Sequence, residues 1–127
     1  MKLLLDTHAF LWFLAGNVML SKKAKALIEN PENEKYISIA SFWEAAIKQS
    51  LGKLTLDVSF VELKTEMIKN GFQFLPITFD DTLRLSMLPF HHRDPFDRII
   101  ISQAMENNLT LLSCDSSFHL YNLKLVW

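Results

Sequence analysis

The chain has one cysteine, no excess of either charge, and no apolar run long enough to cross a membrane. A lone Cys114 cannot form an internal disulfide, and this cysteine usage suits a reducing cytoplasm. Lys and Arg number 13 against 14 Asp and Glu. No overall field therefore favours a polyanion or a membrane surface, and any basic surface must be local. The most apolar stretch, KLLLDTHAFLWFLAG, falls well short of the roughly 20 residues that a spanning helix needs. It also carries Asp6 and His8 in its middle, where a signal peptide would carry neither. We therefore expect this stretch to belong to the folded body, with no membrane association. Repeats, low-complexity tracts and linker-like stretches are also missing. Half the residues are apolar, including ten Phe and three Trp. That is enough to bury a core, and residues 1–127 are expected to form one domain.

Short apolar runs alternate with helical text along the chain. Lys2 to Leu5 reads as a strand covered on both faces. Thr7 to Ala15 reads as a helix stopped at Gly16-Asn17, and Ser21 opens a second helix that Pro31 ends. A strand is expected over 36–39. Ser41 then opens a helix that Gly52 stops, and Ser59 opens another running to Asn70-Gly71. Phe74 to Ile77 is a strand candidate weakened by its proline. Thr78 to Leu88 is helical, PFHHRD is a loop, and Pro95 begins a helix reaching about Asn107. Strands are expected over 109–112 and 123–126, with a turn at 115–117. Strands alternating with helices predict a central parallel sheet with helices on both faces, an α/β class fold.

In such sheets ligands bind at the carboxyl ends of the strands. Asp6 and Asp115 come directly after strands there, and Ser41 and Glu44 come just after the second. Each acid also has an ordinary structural explanation. Asp6 and Asp115 can cap the next helix or turn. Glu44 can complete a capping box with Ser41, as Glu62 can with Ser59, or pair with Lys48 one turn on. Asp94 precedes Pro95 as an N-cap, and Asp97 lies in a first turn where the helix dipole favours acids. Gathered at one sheet edge, however, these carboxylates repel one another unless a cation sits among them. Oxygen donors with little His or Cys suit Mg²⁺ or Mn²⁺, ions that promote phosphodiester hydrolysis. The four histidines have no zinc-type spacing. His91-His92 are expected to shape the loop before Asp94 or to touch substrate. Cys114 reads as a buried strand-end thiol rather than a nucleophile with His119. Trp12, Phe13, Trp43, Phe60 and Phe96 read as core, with some forming a partner surface.

Four stretches, LLLDTHAFLWFL, SFWEAAIKQSLGKL, LPFHHRDPFDRIIISQA and LTLLSCDSSF, span nearly the whole chain. In this order they resemble those of PIN-domain ribonucleases, close to VapC-type toxins of bacterial toxin–antitoxin pairs. The resemblance implies a parallel α/β/α sandwich and a Mg²⁺- or Mn²⁺-dependent endoribonuclease. It also implies Asp6, Glu44, Asp97 and Asp115 as the catalytic and metal-binding acids, with Asp94 in second place. Thr7 and Ser113 are expected to orient the carboxylates. Arg98, Arg93 and Lys48 are expected near this edge as phosphate-holding groups. A homodimer and a cognate antitoxin that blocks the site are further implied partners, besides RNA. Two readings stand beside this one: a PIN-fold RNA-processing nuclease that is not a toxin, and a non-catalytic α/β binding module. Aspartyl phosphotransfer fits less well, since Asp6-Thr7-His8 lacks the Asp-x-Asp that such hydrolases carry after the first strand.

Overall fold

The computed structural model describes residues 1–127. Five strands form one sheet: β1 (Lys2–Leu5), β2 (Glu34–Ser38), β3 (Phe72–Leu75), β4 (Thr110–Leu112) and β5 (Leu125–Val126). Their order is β3-β2-β1-β4-β5, and every pairing is parallel. Six α-helices accompany them: α1 (Thr7–Ala15), α2 (Lys22–Glu29), α3 (Ile39–Ser50), α4 (Phe60–Lys69), α5 (Phe79–Met87) and α6 (Pro95–Glu106). A short 3₁₀ helix at Ser116–Leu120 replaces the turn expected after Asp115.

The Leu3-Leu4-Leu5 run is explained by strand alternation, which sends successive side chains to opposite faces. Leu3 and Leu5 join Phe10, Ile28, Phe42, Met67 and Phe72 in one core, under α1, α2 and α4. Leu4 joins Ile99, Ile100, Ala104, Leu111 and Phe118 in a second core, under α6. All three leucines are fully buried. Helices on both faces of a parallel sheet make the expected α/β/α sandwich.

Several boundaries differ from the sequence reading. β2 starts at Glu34 and ends at Ser38, so Ile39 is already helical. Ser38, not Ser41, is the N-cap of α3, its hydroxyl accepting from the Ala40 N–H at 3.0 Å. β3 begins at Phe72, which leaves Pro76 just beyond the strand, where its missing N–H costs no ladder bond. Trp43 is not core: it is 60% exposed and meets the Phe96 ring edge to face at 5.1 Å. Cys114 is exposed rather than buried. The polar pair Ser102-Gln103 in α6 is fully buried, yet satisfied. Ser102 donates to the Arg98 carbonyl, while Gln103 accepts from Ser38 and donates to the Pro76 carbonyl. No helix is long and apolar enough to cross a membrane.

Chain order reverses at β1, which has β2 on one side and β4 on the other. The chain steps outward through β2 and β3, then returns to build β4 and β5 on the far side. Such a switch point opens a crevice at the carboxyl ends of the strands, where ligands of α/β sheets bind.

Candidate active site

Asp6 leaves the end of β1 beside the end of β4, its backbone N–H donating to the Leu112 carbonyl at 3.2 Å. It caps α1 through Oδ1, which accepts from the Ala9 N–H at 2.7 Å. Oδ2 accepts from the Ser113 hydroxyl at 2.5 Å. Burial raises the Asp6 pKa, with the Asp115 charge adding a little; the bonds from Ser113 and Ala9 and the nearness of His8 pull the other way. Ser113 also accepts from the Asp115 N–H at 3.1 Å, so one hydroxyl links the acids after β1 and β4. Asp115 itself caps the 3₁₀ helix, accepting from the Ser117 N–H at 2.8 Å.

Glu44 is buried in the second turn of α3. Because Ser38 caps that helix, Ser41 lies inside it and the expected Ser41–Glu44 capping box does not exist. The genuine box is at Ser59 and Glu62, with both reciprocal bonds made. Glu44 Oε1 instead lies 2.7 Å from the Thr7 hydroxyl, and Oε2 accepts from Lys48 Nζ at 2.8 Å. The Thr7 oxygen is also 2.9 Å from the Ser41 hydroxyl. Having one proton, Thr7 donates it to the carboxylate and accepts from Ser41. The bond to Glu44 is the chief reason the Lys48 ammonium pKa is raised.

Asp94 makes the cap expected of it, accepting from the N–H groups of Phe96 and Asp97. Asp97 lies in the first turn of α6, and its pKa is raised to about 8. Burial is the largest cause, then the charges of Asp94, Asp115, Glu44 and Asp6. These acids come from three separate parts of the chain besides its own, so the fold brings Asp6, Glu44, Asp94 and Asp115 near one carboxyl, while Glu62 stays in its capping box. The donor set is oxygen only and heavily anionic, which fits a hard divalent cation. No three of the Asp, Glu, His or Cys side chains lie close enough to form a finished coordination cage.

The basic residues divide. Lys48 reaches the cluster through Glu44, and Arg93 is exposed in the loop before Asp94. Arg98 was expected to hold phosphate, but only 6% of it is exposed. Its guanidinium donates to the Leu88 and Pro89 carbonyls and to the Tyr121 hydroxyl, and lies over the Phe90 ring. It closes the loop rather than facing a ligand. Partial desolvation of the exposed Cys114 thiol, with the nearby Asp6 and Asp115 charges, raises its pKa, which disfavours a nucleophilic thiolate. His92 has a more definite place than the sequence indicated, with Nε2 3.2 Å from Asp97 Oδ2. Neither spacing nor residue type marks that contact in the sequence.

No curated protein sequence matches this chain. Solved structures resemble it along its length. VapBC2 from Rickettsia felis, bound to a promoter DNA fragment, gives a TM-score of 0.72 at 16% identity, covering 100% of this chain and 99% of that one. FitAcB from Neisseria gonorrhoeae gives 0.66 at 17% identity, covering 98% and 96%. The Mycobacterium tuberculosis sarcin-ricin loop cleaving toxin VapC20 gives 0.67 at 12% identity, covering 95% of each. At these identities the likeness is one of fold. The sequence itself matches the PIN domain family over residues 3–123, nearly its whole length, and the chain belongs to that family.

Proposed function

We propose that this chain, acting as a single domain, is a Mg²⁺- or Mn²⁺-dependent endoribonuclease and the toxin of a toxin–antitoxin pair. The observation that carries the reading is the gathering of Asp94, Asp115, Glu44 and Asp6 about the partly buried Asp97; burial first, and then these neighbouring charges, raise that carboxyl's pKa to about 8. Uncompensated, such crowding only costs stability; a divalent cation turns it into binding energy.

Asp6, Glu44, Asp97 and Asp115 would hold the ion, with Asp94 in second place. When bound, the ion supplies the charge that activates water and offsets the negative charge building up on the phosphate. The chain's own groups prepare the site. Ser113 orients Asp6, and Thr7 orients Glu44. Arg93, exposed beside Asp94, and Lys48, kept protonated by Glu44, are the cations placed to meet RNA phosphates.

Toxin–antitoxin partners in the solved relatives support a cognate antitoxin as the regulatory partner here. A homodimer is supported by the apolar residues Ile39, Trp43, Ile47 and Leu51, exposed at four-residue spacing along α3 and its C-cap. A cytoplasmic location accords with the single free cysteine.

The test is cleavage of single-stranded or looped RNA by the purified chain. Cleavage is expected with Mn²⁺ or Mg²⁺ and should stop on chelation. Undiminished cleavage in excess chelator would overturn the cation, and no cleavage with any cation would leave a non-catalytic module. Expression alone should arrest a bacterial host, and the neighbouring antitoxin should relieve it. An active but harmless protein would point to RNA processing instead.

A further inference from the structure

The Tyr121 hydroxyl sits at the meeting point of three groups. The His92 backbone N–H lies 3.3 Å from it, Arg98 Nη1 lies 3.0 Å away, and His92 Nδ1 lies 2.7 Å away. The first two can only donate. With two donors on its oxygen, the phenol has one proton left to give, and the remaining neighbour is His92 Nδ1. Nδ1 is then an acceptor, so the neutral imidazole carries its proton on Nε2. Nε2 is the nitrogen that faces Asp97 Oδ2, at 3.2 Å.

We infer that His92 is a positioning residue for the nuclease site: Tyr121 and Arg98 hold it as the Nε2–H tautomer, and that N–H fixes the Asp97 carboxyl by its Oδ2. The inference rests on Asp97 being a cation ligand, as proposed above. The arrangement is built rather than incidental. Tyr121 is 6% exposed and Arg98 equally so, and the His92 ring meets the Tyr121 and Phe118 rings at 5.4 and 6.3 Å. Arg98 is held in turn by the Leu88 and Pro89 carbonyls. A chain of fixed groups thus runs from the second core to one oxygen of Asp97. Outer partners of this kind are worth about 10–100-fold in metal affinity elsewhere. The same contacts also explain the burial of Arg98, which closes this chain rather than binding substrate.

The test uses the full chain and Mn²⁺ alone, monitored by calorimetry and by the loss of free-ion paramagnetic signal. His92→Leu should weaken Mn²⁺ binding by about tenfold or more. His92→Gln, whose amide N–H can take the place of Nε2–H, should stay within about threefold of the wild type. Tyr121→Phe keeps the ring and removes the lock, and should fall between them. Nitrogen-15 spectra of the metal-free wild type in mildly alkaline buffer should show His92 protonated at Nε2; they report the tautomer even if His92→Leu fails to fold. A proton on Nδ1 would overturn the inference, and so would wild-type Mn²⁺ affinity in folded His92→Leu. Loss of affinity equal in His92→Leu and His92→Gln would also overturn it, reducing His92 to packing. A wild type that binds no Mn²⁺ would overturn the cation reading itself, and this inference with it.

Discussion

The Ser113 hydroxyl donates to Asp6 Oδ2 at 2.5 Å, joining residues 107 positions apart. The same oxygen accepts from the Asp115 N–H, so the ends of β1 and β4 are tied by one side chain. Ser113→Ala leaves the buried Asp6 carboxyl with one donor fewer and should push its pKa further up. A stability loss of about 1–2 kcal/mol is expected, since a buried acceptor loses its partner. Cation-dependent cleavage should fall further than the fraction folded. Equal Mn²⁺ affinity in Ser113→Ala and wild type would show that Asp6 needs no such orientation.

Glu44→Gln separates binding from folding, because Ser38 caps α3 and Glu44 has no capping role to lose. The amide keeps the shape and an acceptor for Thr7, and takes one charge from the cluster around Asp97. Without metal the melting temperature should hold or rise. Cleavage should drop by about a hundredfold or more, and metal should stabilise the variant less than the wild type. Glu62→Gln, in the genuine capping box, should change neither property, because Gln serves there about as well. Near-normal cleavage by Glu44→Gln would remove Glu44 from the site.

Asp97 should give metal-free protein a pH-dependent stability. An ordinary aspartate titrates near 3.8, whereas folding raises Asp97 to about 8. Between these values the folded chain keeps a proton that the unfolded chain has lost. The contribution is complete below about 3.8 and disappears as the pH rises through about 8. Asp97→Asn should flatten that slope and stabilise the metal-free protein above the upper value. A gain of roughly 1–3 kcal/mol is expected, well under the full linkage value because water reaches the carboxyl. Mn²⁺ competes with the same proton, so wild-type affinity should climb through this window and then level off. Melting curves across pH, with and without Mn²⁺, check both signs. Asp94→Asn should keep its cap and lose less cleavage than Asp97→Asn.

Arg98 and Arg93 should behave oppositely. Arg98→Ala strips donors from two carbonyls and from Tyr121, and should cost about 2–4 kcal/mol. Arg93→Ala should leave stability within about 0.5 kcal/mol while weakening RNA binding and its salt dependence. Denaturation and RNA titration at two salt concentrations separate the pair. An Arg98→Ala protein of wild-type stability would make that residue a candidate phosphate ligand again.

Much of this protein is legible in local text. Ser21, Ser59, Thr78 and Asp94 each cap the helix they precede, and Pro95 opens α6. These signals act through hydrogen bonds two or three residues long, so neighbouring letters reveal them. The three-leucine run foretold a strand buried on both faces, and the alternation of elements foretold the parallel sheet. With the sheet came the edge to which the acids belong.

Other features needed the folded chain. Ser38 and Ser41 both precede helical text, and Ser41 carries the better box; the pairing of Ser38 with Leu75 at the end of β2 sets the helix start. Trp43 faces outward, Arg98 inward, and Cys114 lies exposed, though residue type alone suggests otherwise for each. Thr7 reaches Glu44 across 37 positions, and Tyr121 reaches His92 across 29. No periodicity or cap records such contacts, because they arise where strand order places distant segments side by side. The sequence determined which residues are candidates for the chemistry and which sheet edge they follow; the pairing of β4 with β1 and the packing of α3 against α1 and α6 decided which of them meet.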